Sequence, residues 1–459
     1  MKNPLVVPEL RNLITKGNAK SLKVFCEASH PVVVAEMISS LGTGEAWDVL
    51  RHAGFPIRSD IFSHLNDELQ VDIIGTLGRG DIARLLADMP PDDRADVFKL
   101  LPEDRREEVL PAMAQVERED IRRLSAYEEG TAGAVMTSDY ATLSPELTAS
   151  QAIDRLREIA PDRETIYYAY VVDKHRKLIG FISLKDLIIA RKESRIGEIM
   201  HPDVIYARVE DDQEDAARKI QKYDLIALPI INGNEALVGI ITHDDAIDII
   251  TQEQTEDMEK FMAISGRHEA AVYMKTPVIK HFKNRVLWIV VLALFGFISG
   301  AIVQKFEGLL LQFAILVTFM PMLADTGGNT GSQSATLVVR ALALEEITHK
   351  DIVRILLKEA QIGLLLGVLL GAIAFGRVLF FGAGSAGPAG ISLGTIGIAV
   401  SVALTLQVIT ATVIGALLPL IAARLKLDPA VIASPALTTV VDITGLLIFF
   451  ITAKIILNI

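Results

Sequence analysis

From Val286 to Val303 the chain carries no charged residue, and the run ends only at Lys305. Coiled into a helix at about 1.5 Å per residue, such a run nearly matches the ~30 Å hydrocarbon core of a bilayer. Four more apolar runs follow, at about Leu309–Val339, Gln361–Gly382, Ile391–Ala423 and Val431–Ala453. Backbone groups in lipid must pair within their own segment, so the runs are expected to be helices, giving five spans, give or take one, because the long second and fourth runs can tilt or break. The composition agrees: of 459 residues, 51% are hydrophobic and 22% charged, more apolar than a typical soluble domain. The single cysteine, Cys26, excludes an internal disulfide framework and Cys-rich metal centres. Met1–Glu9 lacks the apolar core and cleavage site of a signal peptide.

Charge divides the chain as sharply as hydropathy does. The overall formal charge is −12, yet from Arg285 onward ten bases face eight acids, so the excess of acid lies before Arg285. An acidic soluble half offers nothing to a phosphate backbone, which excludes nucleic acid as a partner and favours divalent cations. Orientation follows from the short loops. Lys280, Lys283 and Arg285 precede the first span, Arg340, Lys350, Arg354 and Lys358 follow the second, and Arg424 and Lys426 follow the fourth. These basic loops share the side of the N-terminal region, which is therefore expected in the cytoplasm of a multi-pass cell-membrane protein, with Ile459 outside.

The N-terminal region contains two repeats. Leu65, Leu77, Met89, Leu101 and Met113 open successive twelve-residue units, as in LGRGDIARLLAD and MPPDDRADVFKL. Turn residues followed by helical periodicity predict a small solenoid of short helices over 1–130; a generic helical bundle is the alternative. The second repeat is longer. Gly133-Ala-Val-Met136 returns as Gly197-Glu-Ile-Met200, and the segment Gly180–Asp186 returns as Gly239–Asp245. This predicts a tandem α/β module over 131–250, with halves 131–192 and 193–250. It resembles a cystathionine-β-synthase-type (CBS) pair through the hydrophobic–Ser/Thr–x–x–Asp ending of each half. The resemblance implies that Tyr168, Asp186 and Asp245 line a nucleotide cleft, which makes ATP a candidate modulator; a purely structural pair is the alternative. The acidic stretch Asp244–Met262, free of Pro and Gly, then leads into a connecting helix over 251–280 and the membrane region, 281–459.

The residues most able to carry chemistry lie where lipid tolerates them least. Asp442 lies in the fifth run, 14 residues past Asp428, and an ionisable group at that depth costs at least ~2.5 kcal/mol to insert. No basic residue inside the spans is an obvious mate, so either a bound cation satisfies the carboxylate or a neutral, hydrogen-bonded acid sits there. The second run carries Asp325-Thr-Gly-Gly-Asn329-Thr-Gly-Ser-Gln333, in which Asn329, Thr330 and Gln333 supply oxygens and small residues permit close helix packing. The nine histidines fall outside the runs and no phosphate-binding GxxxxGK[ST] motif occurs, so neither an intramembrane hydrolase nor ATP hydrolysis is indicated.

PMLADTGGNTGSQSATLVVRALAL and LDPAVIASPALTTVVDITGLLIFF, in this domain order, resemble the MgtE family of magnesium channels and transporters. The resemblance implies no enzymatic activity and a homodimer with one pore on the dimer axis. It implies an Asp442 selectivity site, with further oxygens near Asn329, Pro435 and Thr439. It also implies regulatory cytoplasmic Mg²⁺ bound by Asp60, Asp92 and Asp96 of the N-domain, by Asp212, Glu214 and Asp224 of the CBS pair, by Asp245, Asp248, Glu253, Glu256 and Asp257 of the connector, and by Asp428 at the pore mouth. Two facing carboxylates suit a small octahedral cation that parts reluctantly with its waters. An ion-coupled secondary carrier and a membrane-anchored nucleotide sensor are the competing readings.

Overall fold

The computed structural model describes residues 6–262, 264, 276–344, 346–381, 391–425, 427–429 and 435–458. It resolves into two compact units, which divide between Glu253 and Gln254.

The first unit begins with short helices whose spacing extends the twelve-residue period well beyond what the sequence reveals. Helices begin at Ala19, Pro31, Thr43, Phe55, Asp67, Arg79, Pro91, Glu103 and Gln115. The residue two before each later start is buried: Leu41, Ala53, Leu65, Leu77, Met89, Leu101 and Met113. A second device recurs on the same period. The last carbonyls of a helix have no partner of their own, and a long polar side chain from the fourth position of the next helix grips them. Arg58 donates to the carbonyls of Leu50, Arg51 and Ala53. Gln70 donates to those of Phe62, Ser63 and Leu65. Arg94 reaches Leu86 at 2.9 Å and Met89 at 2.7 Å, and Arg106 reaches Leu101 at 2.8 Å. Buried Arg94 is therefore a clamp on the helix before it.

The paired α/β module follows with the same topology in each half. Tyr140–Leu143 runs parallel to Thr165–Val172, which pairs antiparallel with Leu178–Ser183. Ala207–Arg208, Ala227–Ile231 and Leu237–Thr242 repeat that order. The Gly and Met repeats have a steric cause. A Cβ on Gly180 would lie 2.7 Å from Met200 Sδ, and one on Gly239 would lie 2.5 Å from Met136 Sδ. Only glycine lets the methionine thioether cross the strand so closely. The final helix, His243–Phe261, runs straight out of the second half; the expected continuation of the connector through 265–275 lies outside the described residues.

The second unit contains five long helices: Val278–Lys305, Met320–Ala343, Ile352–Phe381, Leu393–Arg424 and Pro435–Leu457. Among the described residues, four are long and apolar enough to cross a membrane. The exception is the second, Met320–Ala343, which carries the Asp–Asn–Gln run. Of the two alternatives for the long run at about Leu309–Val339, a tilt or a break, the structure shows the break. Two short helices, Glu307–Gln312 and Ala314–Val317, precede the long one, and the chain turns at Thr318 and Phe319 before Pro321 opens the next helix. Arg377 secures this turn, donating to the Thr318 carbonyl at 3.1 Å and lying 4.5 Å over the Phe319 ring. The apolar third and fourth helices meet through small residues. Cβ atoms on Gly363, Gly367 or Gly371 would press into the fourth helix, and in this closeness Thr405 donates to the Gly367 carbonyl and Ser401 to the Gly371 carbonyl. The fourth helix touches the second as tightly, where a Cβ on Gly415 would collide with the Gly331 carbonyl.

Candidate functional site

The second helix has two faces with different chemistry. Its inward face carries Gly327, Thr330, Gly331 and Ser334, all buried. Thr330 hydrogen-bonds back to the Thr326 carbonyl at 2.9 Å, and Ser334 donates to Thr412 at 2.8 Å. Thr330, expected to offer an oxygen to an ion, is buried on this inward face, with its hydroxyl donating within its own helix. The other face exposes Asp325, Asn329, Gln333 and Thr336 in the single chain, with Asn329 Nδ2 donating to Asp325 Oδ1 at 3.0 Å. Asn329 lies inside a continuous helix, so what it presents outward is its side chain.

The fifth helix lies along this glycine-rich face. A Cβ on Gly331 would touch Val441 at 3.4 Å, and one on Gly328 would touch Thr438 at 3.5 Å. The next residue, Asp442, is half-buried, and its Oδ1 is buried with no hydrogen-bond partner among the described residues. A carboxylate oxygen withdrawn from water normally finds a donor. Thr439 is half-buried a turn away. Pro435 opens the helix, but its side chain lies outside the described residues. Gln407, 2% exposed on the fourth helix, completes the arrangement. Its Nε2 donates to the Leu323 carbonyl at 2.7 Å, and its amide would meet a Cβ on either Gly327 or Gly445. Sequence reasoning missed Gln407 because a lone amide among apolar residues gives no periodic signal.

In the first unit, the N-domain and the α/β pair bring carboxylates into one neighbourhood. Asp92 is pushed well above the ordinary carboxylate value, by burial first and then by the charges of Asp245, Asp93 and Glu164; its Oδ1 has no partner among the described residues. Burial and Asp245 also push Asp93 to about 6, against a hydrogen bond from Ser63. Burial, Asp245 and Asp244 push Glu164 to about 7. Asp245 is raised by burial, against the hydrogen bond from Thr242. Asp93 and Glu164 escaped sequence reading because proximity across domains leaves no local pattern. Among the described residues no three acidic, His or Cys side chains are placed to hold a metal ion.

The remaining candidate acids lie mostly at the surface, several of them paired. Asp60 lies 3.4 Å from His64 and Asp96 pairs with Lys99 at 2.9 Å. Asp212 caps the helix Gln213–Tyr223, Glu214 pairs with Arg218, and Asp224 ends that helix in a left-handed conformation. Glu253 accepts from Gln213 at 2.6 Å. Asp248 is exposed and Asp257 half-buried. In the second unit Lys260 bridges Glu256 at 2.9 Å and Asp428 at 3.0 Å. Burial pulls that ammonium's pKa down, but hydrogen bonds to Glu256 and Asp428 outweigh it and hold the pKa above the usual lysine value. The expected meeting of Asp428 with the connector is therefore present, through a lysine.

The nucleotide candidates also come together. Phe181 lies edge-on to Tyr168 at 5.5 Å and stacks on His201 at 5.1 Å. His201 Nε2 lies 3.2 Å from Asp186 Oδ2. A hydrogen bond from Ser183, helped by His201, holds Asp186 below the usual carboxylate range. The Ser183–Asp186 motif is at the same time a capping box, so the repeated Asp has a structural role whether or not a ligand binds. Its counterpart Asp245 caps the other half through Thr242.

Comparison with known proteins decides the family. Residues 320–452 match the divalent cation transporter family, 29–130 the MgtE intracellular N domain, and 132–193 and 196–252 the CBS domain. A magnesium transporter MgtE from Thermus thermophilus is 35% identical over 461 residues, covering 100% of both chains. The chain belongs to the MgtE family. A Bacillus subtilis MgtE is 35% identical over 85% of this chain and 84% of its own length. The solved cytosolic domain of an Mg²⁺ channel MgtE in complex with ATP aligns with a TM-score of 0.50 at 33% identity, covering 52% of this chain and 98% of that one. The soluble part of a magnesium transporter aligns at 0.51 with 31% identity, covering 54% and 97%. MgtE membership makes the chain a multi-pass membrane protein with a soluble N-terminal region, and a transport protein in place of an enzyme.

Proposed function

We propose that this MgtE protein takes up Mg²⁺ through a pore shared by two copies, with Asp442 as its selecting group and cytoplasmic Mg²⁺ as its closing signal. The observation that carries the reading is the unpartnered Asp442 oxygen beside a polar helix face. Lipid would not tolerate Asp325, Asn329 and Gln333 exposed on one side of a membrane helix; a second copy related by a two-fold axis covers them and leaves a water-filled path. Two Asp442 side chains then face each other, and their charges attract a divalent ion without stripping its waters. The N-terminal region lies in the cytoplasm and the C-terminus outside, following the basic loops.

Closure follows from linkage: a cation that binds one conformation better shifts the population towards it. The carboxylates around Asp92, Asp93, Glu164 and Asp245 repel one another at neutral pH, and bound Mg²⁺ cancels that repulsion. The connector, held to Asp428 through Lys260, carries the change to the membrane region. ATP at Tyr168, Phe181, His201 and Asp186 modulates it, a reading supported by the ATP complex of the MgtE cytosolic domain.

The test is Mg²⁺ entry into liposomes holding the purified protein and a luminal dye, with Mg²⁺ varied on the cytoplasmic face. Wild-type flux should fall as that Mg²⁺ rises, and Asp442→Ala should abolish entry. Undiminished flux in Asp442→Ala overturns the pore assignment. A strict need for a proton gradient makes the protein a coupled carrier instead.

A further inference from the structure

We propose that the groove between the C-terminal ends of the first and fifth long helices binds one anionic phospholipid. The groove is a cavity of about 650 Å³, within the size range of small-molecule sites. Lys305, the last residue of the first helix, and Lys454, in the last turn of the fifth, both line it, with Gln312 beside them. Neither lysine makes an ion pair or hydrogen bond among the described residues, both are exposed, and no acid lines the cavity. Its remaining wall is apolar, and its side on the fifth helix is open: Leu447 is 37%, Ile451 48% and Ile455 71% exposed.

This arrangement reproduces the amphipathic order of a phospholipid. Two ammonium groups stand where the helices end, at headgroup depth, with Ile455 beside them, and Leu447 and Ile451 run back from Lys454 along the fifth helix at acyl-chain depth. Both bases also lie on the membrane face that the short loops leave poor in lysine and arginine, so a generic excess of positive charge does not explain them. Charge complementarity selects a phosphodiester headgroup with net negative charge over a zwitterionic one. A second copy is a poorer occupant, since it would bury two unpaired ammonium groups against an aliphatic wall.

The test is native mass spectrometry of the full-length protein in detergent, titrated separately with phosphatidylglycerol and phosphatidylcholine. Each lysine should contribute about fivefold in affinity for the anionic lipid. Wild type should therefore retain phosphatidylglycerol in preference to phosphatidylcholine. The double variant Lys305→Gln/Lys454→Gln should lose that preference by roughly 25-fold, while Lys305→Arg/Lys454→Arg keeps it and reports intact folding. Equal phosphatidylglycerol retention by wild type and the Gln variant overturns the proposal. Efficient disulfide cross-linking of two Ile455→Cys chains in phosphatidylglycerol membranes assigns the groove to a second copy and also overturns it.

Discussion

The carboxylates raised at the meeting of the N-domain and the α/β pair make the soluble unit less stable at neutral pH than in mild acid, provided no divalent cation is present. A group whose folded pKa lies above its unfolded value contributes stability that is fully present below the unfolded pKa and lost as pH rises through the folded one. For Asp93 that window runs from 3.8 to about 6, and for Glu164 from 4.5 to about 7. The Asp93 shift alone would be worth about 3 kcal/mol at full strength. Its side chain is only partly withdrawn from water and Glu164 is exposed, so solvent screening brings the expected loss to about 1–2 kcal/mol. The assay is urea unfolding of residues 1–262 in chelator, a span resembling soluble parts of relatives that have been solved by themselves. Stability should fall between about pH 5 and pH 7.5, and millimolar Mg²⁺ should restore it at the higher pH. Glu164→Gln should flatten the profile and reduce the Mg²⁺ effect. A chelated profile that is level or rises across this interval refutes the reasoning.

Gln407→Ala removes the hydrogen bond to Leu323 and empties a buried volume between three helices, so thermal melting in detergent should show a loss of about 2–3 kcal/mol; an unchanged melting point contradicts the tie. Lys260→Gln frees Asp428 and Glu256 from their shared ammonium. The cytoplasmic Mg²⁺ that half-inhibits flux should then change severalfold, and an unchanged value would remove Lys260 from the coupling. Tyr168→Ala or Asp186→Ala should weaken ATP binding by at least about tenfold in equilibrium dialysis, given roughly 1–3 kcal/mol for a stacked base; equal binding would place the nucleotide elsewhere. Gly367→Leu drives a side chain into Thr405, and the protein should fail to give a monodisperse peak in size-exclusion chromatography.

Much of the fold was readable because it rests on periodicity. Twelve-residue and roughly sixty-residue repeats survive in the sequence when each unit solves the same packing problem, as Gly180 under Met200 and Gly239 under Met136 do. The twelve-residue period was visible from Leu65 and hidden before it, because Ala53 fills the same buried position with a smaller residue than its neighbours. The membrane runs were legible from hydropathy, and the length of the second allowed a break, but its place at Thr318 was not legible, since it depends on Arg377 arriving from a helix 59 residues away. Asp442 stood out because a carboxylate in an apolar run is costly wherever it points. Glu164, His201 and Lys260 did not stand out, because each gains its significance only from a partner distant in sequence.

The clamp that four helices of the N-domain place on their predecessors has a consequence for how this domain tolerates change. Arg58, Gln70, Arg94 and Arg106 work because they recur in step with the carbonyls they grip. Inserting or deleting a whole unit would leave every remaining grip in place, so the array can lengthen or shorten in quanta. A single-residue insertion would instead put every downstream clamp out of phase with its target, and the damage would spread along the array to its end.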